Sequence, residues 1–97
     1  ITGENTFSFD FKLPDGFLTK LRTLSLEEVK EVLELQLSNK TVEALILVLK
    51  YGIREPECWK ENPGKLNPAI AAIIGYEILK RTGLIVNNFP PFNPSSR

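Results

Sequence analysis

The residues of this chain best equipped for chemistry crowd into one short stretch, Glu55-Pro56-Glu57-Cys58-Trp59-Lys60-Glu61. Three carboxylates so close together raise the prospect of a metal site or a paired general acid and base. Their order speaks against both. They alternate with Arg54 and Lys60 and lack the spacing of a calcium loop, so they read as a solvated charged face. Cys58 is the one cysteine, and no internal disulfide is available to it. A neighbouring cation that lowered its pKa would make this thiol reactive. Without one, a free cysteine behaves as a small packed hydrophobe, and a buried or half-buried Cys58 is expected. Trp59 is either a lid on the core beneath this connector or an anchor for a partner.

The chain contains no histidine. That removes the Ser-His-Asp and Cys-His nucleophile arrangements and every histidine metal site. The glycines stand at turn and helix-end positions and form no phosphate-cradling loop. No catalytic residue, cofactor or metal ligand is expected, and the chain reads as a non-enzyme. Lysine plus arginine total 12, as do aspartate plus glutamate, so no overall field draws nucleic acid or an anionic membrane. Lys12, Lys20 and Arg22 form too small a basic patch for nucleic acid. Glu27, Glu28, Glu31 and Glu34 line a solvent face first and an acidic docking face second. Asn39-Lys40-Thr41 fits the glycosylation pattern, and its simplest reading is the start of a helix.

A length of 97 residues, 42% hydrophobic and 25% charged, suits one globular domain. The longest apolar run, 44–49, falls far short of the roughly 20 residues that span a bilayer, and Glu77, Lys80 and Arg81 interrupt the stretch 69–86. With no secretory or transit segment visible, a soluble, intracellular, cytoplasmic protein is expected. The chain has no methionine and begins with Ile1, which is therefore expected to be an internal or processed end.

The elements that must position these residues follow in order. Residues 6–13 alternate, with Phe7, Phe9, Phe11 and Leu13 on one side and Ser8, Asp10 and Lys12 on the other, as in a half-buried strand. Pro14-Asp15-Gly16 is a turn, and residues 17–23 form the return strand with Lys20 and Arg22 on its polar side. Ser25 and Glu28 make a capping box, with Leu24 and Val29 as its hydrophobic staple. The helix 26–37 that they open would bury Leu26, Val29, Val32, Leu33 and Leu37 and leave Leu35 as a stray. A second helix, about 40–51, is apolar around most of its circumference, and a narrow polar stripe of Lys40, Glu43 and Lys50 surrounds Leu47. Such a helix is central, or it meets another chain. Gly52 would end it, with Ile53 folding back.

After the mixed connector 54–65, Asn67 caps a third helix, 68–82, with Pro68 at its first position and Gly83 as a left-handed stop. Ile70, Ala71, Ile74, Gly75, Ile78 and Leu79 would face the core, and Tyr76, Glu77, Lys80 and Arg81 the solvent. Leu84-Ile85-Val86 either packs on the bundle or adds as an edge strand. The tail 87–97 carries Phe89-Pro90-Pro91-Phe92, a stiffened aromatic segment that loses little entropy on docking. It either binds a partner or wraps its own core. The fold expected is thus α+β, mainly α: a β-hairpin at 6–23 packed on a small three-helix bundle. Residues 1–86 would form one globular domain and 87–97 an extended proline-rich arm.

This layout resembles the small tail-assembly chaperones and related minor tail proteins of tailed bacteriophages. The features that carry the resemblance are Phe9-Asp-Phe-Lys-Leu-Pro-Asp-Gly16 leading into Leu21-Arg-Thr-Leu24, the capped acidic helix and the hydrophobic helix after it. Gly52-Ile53-Arg54-Glu55-Pro56 and the closing Ile78-Leu79-Lys80-Arg81-Thr82-Gly83 complete them. The resemblance covers about residues 9–84, and the proline-rich tail is not part of it. It implies a non-enzymatic protein that binds other tail components during assembly, in the host cytoplasm or the virion. Two functions are therefore expected as alternatives: a protein–protein interaction or assembly module, or a small stabilising subunit of a permanent cellular complex. The residues expected to meet a protein partner, or a second copy of the chain, are Phe89, Pro90, Pro91, Phe92, Trp59 and Leu47.

Overall fold

The computed structural model describes residues 6–83, and within them the fold is α+β and mainly helical, as expected. Strand β1 (Ser8–Lys12) pairs antiparallel with β2 (Leu18–Arg22), Phe9 opposite Leu21 and Phe11 opposite Thr19. The turn between them closes as its residue types dictate. Gly16 adopts a φ of 95° and donates from its amide to the Leu13 carbonyl, while Asp15 accepts from the Phe17 amide at 3.0 Å.

Helix α1 (Leu26–Leu37) starts on the expected capping box: Ser25 accepts from the Glu28 amide, and Glu28 accepts from the Ser25 amide at 2.9 Å. It ends at Ser38, and Asn39 takes a left-handed φ of 63°, which asparagine tolerates better than most residues. Helix α2 (Thr41–Gly52) follows at once. Helix α4 (Pro68–Thr82) has the cap, the opening proline and the stop foreseen for it: Asn67 accepts from the Ala69 amide at 2.8 Å, and Gly83 sits at a φ of 100°. Between them lie a short helix α3 (Glu57–Glu61) and a single 3-10 turn (Pro63–Lys65).

Four expectations are corrected. Gly52 does not stop α2 in a left-handed conformation with Ile53 folded back. Ile53 instead opens a third strand, β3 (Ile53–Glu55), that pairs antiparallel with β2, so the hairpin becomes a three-stranded sheet of order β1-β2-β3. Ile53 is fully buried opposite Leu21, and that burial outweighs a reversal at Gly52. Lys20 and Leu21, adjacent on β2, face Glu55 and Ile53, so Arg54 is the extra residue of a β-bulge. In α1, Leu26 and Leu37 are 84% and 86% exposed, whereas Leu35 packs on the core. The buried residues of that helix, Val29 and Val32, lie in its middle, and it packs mainly on α2.

Glu77 is the third correction. It is buried, at 7% exposure, although its helical position places it among polar residues. Arg81 Nε donates to it at 2.9 Å and Lys80 Nζ lies 3.5 Å away, so the buried carboxylate is paired with two cations whose side chains stay half-exposed. The fourth is Cys58, which is exposed on α3 and does not pack as a hydrophobe.

Helix α2 is the centre of the molecule, with α1 packed on one flank and α4 on the other. Ala44, Val48 and Leu49 of α2 join Val29 and Val32 of α1, Ile74, Ile78 and Leu79 of α4, and Leu21 and Ile53 of the sheet in one core. Burying a leucine or isoleucine side chain fully contributes about 1.5–3 kcal/mol each. Two threonines share this interior without cost, because both are bonded. Thr19 Oγ1 donates to the Phe11 carbonyl at 2.8 Å, and Thr23 Oγ1 accepts from the Phe7 amide at 2.9 Å.

Candidate interaction surface

Trp59 sits on α3, half-buried, with its ring 5.3 Å from that of Phe17 and tilted by 40°. Phe17 follows the hairpin turn, just before β2, and its ring meets that of Trp59, which itself packs on the core. Phe17 is still 47% exposed and Leu18 beside it 59%. Leu47 belongs to another flank. It is half-buried on α2, one helical turn before Tyr51, whose hydroxyl donates to Glu31 of α1 at 2.7 Å. That charged acceptor raises the pKa of Tyr51 above its ordinary value. The structure therefore does not bring Trp59 and Leu47 together. Phe89, Pro90, Pro91 and Phe92 lie outside the described residues, as does Leu84-Ile85-Val86, expected on the bundle or at a sheet edge.

Sequence reading missed where the apolar surface collects. Leu37 and Val42 flank the α1–α2 turn and are 86% and 67% exposed. Phe7 and Leu26 lie at the opposite end of α1, at 68% and 84%. A helix of this length separates the two patches by about 18 Å. Periodicity alone puts Phe7, Leu26 and Leu37 on a buried face, and it carries no information on where the covering elements stop.

The outer side of the sheet is polar and largely paired. Lys20 reaches Asp10 across the ladder at 3.1 Å. Arg22 grips Glu28 with both terminal nitrogens, at 3.0 and 2.8 Å, and donates again to the Thr23 carbonyl. This fork holds the end of β2 to the first turn of α1. It also depresses the Glu28 pKa, chiefly through the Arg22 hydrogen bond and against the opposing effect of burial. Arg54, displaced by the bulge, donates to Ser8 Oγ at 2.7 Å.

Arg22, Arg54, Glu55, Glu57 and Lys60 line an open depression of about 510 Å³. Its charges are mixed, and Lys60 is occupied by the Lys50 carbonyl at the end of α2. Glu55, Glu57 and Glu61 are exposed, and among the described residues no three His, Cys, Asp or Glu side chains could hold a metal ion. No described helix is long and apolar enough to cross a membrane.

No family model matches this chain, and neither a curated protein nor a solved structure does.

Proposed function

We propose that the chain is a non-enzymatic protein–protein interaction or assembly module, with a phage tail-assembly protein as its most concrete form. One observation carries the reading: large apolar side chains stand exposed towards both ends of α1, Leu37 and Val42 at one and Phe7 and Leu26 at the other. Exposed apolar clusters rimmed by charge are what protein partners cover. The sequence Phe89-Pro90-Pro91-Phe92 is of the aromatic, proline-rich type that grooves on partner proteins take up, which makes it a second candidate binding element. Trp59 and Leu47 remain candidate contacts on two further flanks. The alternative reading is a small stabilising subunit of a permanent cellular complex, favoured by the same surplus of apolar surface.

An affinity capture from the native source, with the intact chain and with a chain lacking 87–97, separates the two. Tail or capsid proteins retained by the intact chain support assembly, and their loss on deletion makes the arm the binding element. Subunits of a cellular complex support the alternative. A chain that retains nothing in either form and stays a monodisperse monomer overturns both.

A further inference from the structure

Strand β1 is an edge of the sheet. The Thr23 amide donates to the Phe7 carbonyl and the Leu13 amide to the Phe17 carbonyl, so the odd-numbered residues of this stretch bond to β2. By the alternation of an antiparallel ladder, Ser8, Asp10 and Lys12 turn their N–H and C=O groups the other way. Among the described residues, no backbone group meets them. Edge strands are commonly blunted by a proline, a bulge or an inward-pointing charge. β1 has none of these: its five residues pair with β2 without a break, and its core-facing side chains are Phe9 and Phe11.

The charges on the outer face say what strand would fit beside it. Glu55, Lys20 and Asp10 stand opposite one another across β3, β2 and β1, alternating in sign, with Lys20 Nζ 3.1 Å from Asp10. A cation belongs next in that row. Lys12 lies opposite Leu18 and meets no carboxylate among the described residues, so its row calls for an anion. An antiparallel copy of β1 answers both rows at once when a two-fold axis passes at Phe11. Asp10 then faces the second copy's Lys12 and Lys12 its Asp10, both at positions whose backbone groups point outward. The two Phe11 rings meet at the closer, non-hydrogen-bonded pair between them. Other registers lose this match. An axis at Asp10 sets two carboxylates against each other, and one at Phe9 leaves Asp10 opposite Ser8 and Lys12 opposite Thr6.

We infer that β1 pairs antiparallel with β1 of a second copy of this chain, about a two-fold axis at Phe11, joining the two sheets into one. The charge pattern that admits this partner also rejects strands in the wrong register, which is how an unblunted edge avoids indiscriminate pairing. The surface uses none of Leu37, Val42, Leu26, Trp59 or Leu47, so it stands apart from the partner contacts proposed above.

Charge reversal in the full-length chain tests this, with the dimer read by sedimentation equilibrium. Asp10→Lys and Lys12→Asp each turn both cross-strand pairs into like charges. Each is expected to weaken the dimer about tenfold or more relative to the wild type. Both side chains are exposed, so thermal unfolding of either variant should stay near that of the wild type. An equimolar mixture of the two variants places opposite charges at both pairs again and should dimerise as the wild type does. Single variants that dimerise like the wild type overturn the inference, as does a mixture that stays monomeric. A wild type that is monomeric at millimolar concentration overturns it as well. In that monomer, slow hydrogen exchange at the Asp10 amide would give the edge to another segment of the same chain, and fast exchange would leave it for a different protein.

Discussion

Ile78 of α4 lies against Gly52 of α2 so closely that no side chain fits at residue 52. A Cβ there would stand 3.0 Å from both Cγ1 and Cγ2 of Ile78 and closer still to its Cδ1. The helices are notched reciprocally, since a Cβ on Gly75 of α4 would meet Leu45 Cδ1 of α2 at 2.5 Å. Two glycines, one per helix, thus set how near the central pair approach.

The two notches should respond differently to alanine. At Gly52 the obstacle is the branched, fully buried root of Ile78, which has nowhere to move. Gly52→Ala is expected to destabilise by about 1–3 kcal/mol, the usual range for overpacking. At Gly75 the obstacle is the tip of a half-buried leucine, and turning it away is offset by about 1 kcal/mol of improved helix propensity. Gly75→Ala should therefore stay within about 1 kcal/mol of the wild type. Urea unfolding of both variants checks the order, and an equal loss in the two would contradict it.

Thr82 ties the last turn of α4 to the start of α1 through the Leu24 amide. Thr82→Val keeps the shape and removes the acceptor, leaving the amide of a buried residue unpaired. A loss of about 1–3 kcal/mol is expected, largely restored by Thr82→Ser. If valine and serine prove equivalent, the hydroxyl has no such role.

Acid should weaken the fork between Arg22 and Glu28. The Glu28 pKa is depressed below its ordinary value of 4.5 in the folded chain. Its contribution to stability is therefore complete above that unfolded value and is lost as pH falls through the folded one. Both side chains are about one-fifth exposed, so solvent screens part of the attraction, and about 1 kcal/mol is at stake. Stability should drop less between neutral and acidic pH in Glu28→Gln than in the wild type. Parallel pH profiles would remove Glu28 from the account.

Alkali should act on Tyr51. Its pKa is raised because the hydroxyl donates to the Glu31 carboxylate, and ionisation would set two anions together. The stability this bond contributes is present below the ordinary tyrosine value and is lost as pH rises through the raised one. In a Tyr76→Phe background, the tyrosinate absorbance reports Tyr51 alone. Glu31→Gln should move that transition to lower pH, and an unmoved transition would show that the bond does not persist in solution.

What could be read in the residues alone was whatever short-range chemistry decides. Ser25 with Glu28, Asn67 with Pro68, and Gly83 mark their helix ends because a cap needs only its own neighbours. The alternation in β1 and the Pro14-Asp15-Gly16 turn likewise foretell a hairpin, whose register the structure supplies. The apolar girth of α2 foretells a helix that is central or meets another chain, and within this chain it is central. What only the tertiary structure decided is where burial begins and ends. Ile53 joins the sheet because Leu21 is there to meet it, and a three-residue strand is too short to show a period. Glu77 is buried with its charge met, because the half-exposed Arg81 and Lys80 reach its carboxylate from the surface. Cys58 stays in solvent because α3 is too short to bury its outer side. Leu26 and Leu37 carry the periodicity of core residues, yet both stand in solvent. Periodicity names a face, and only the neighbouring elements determine how much of that face is covered.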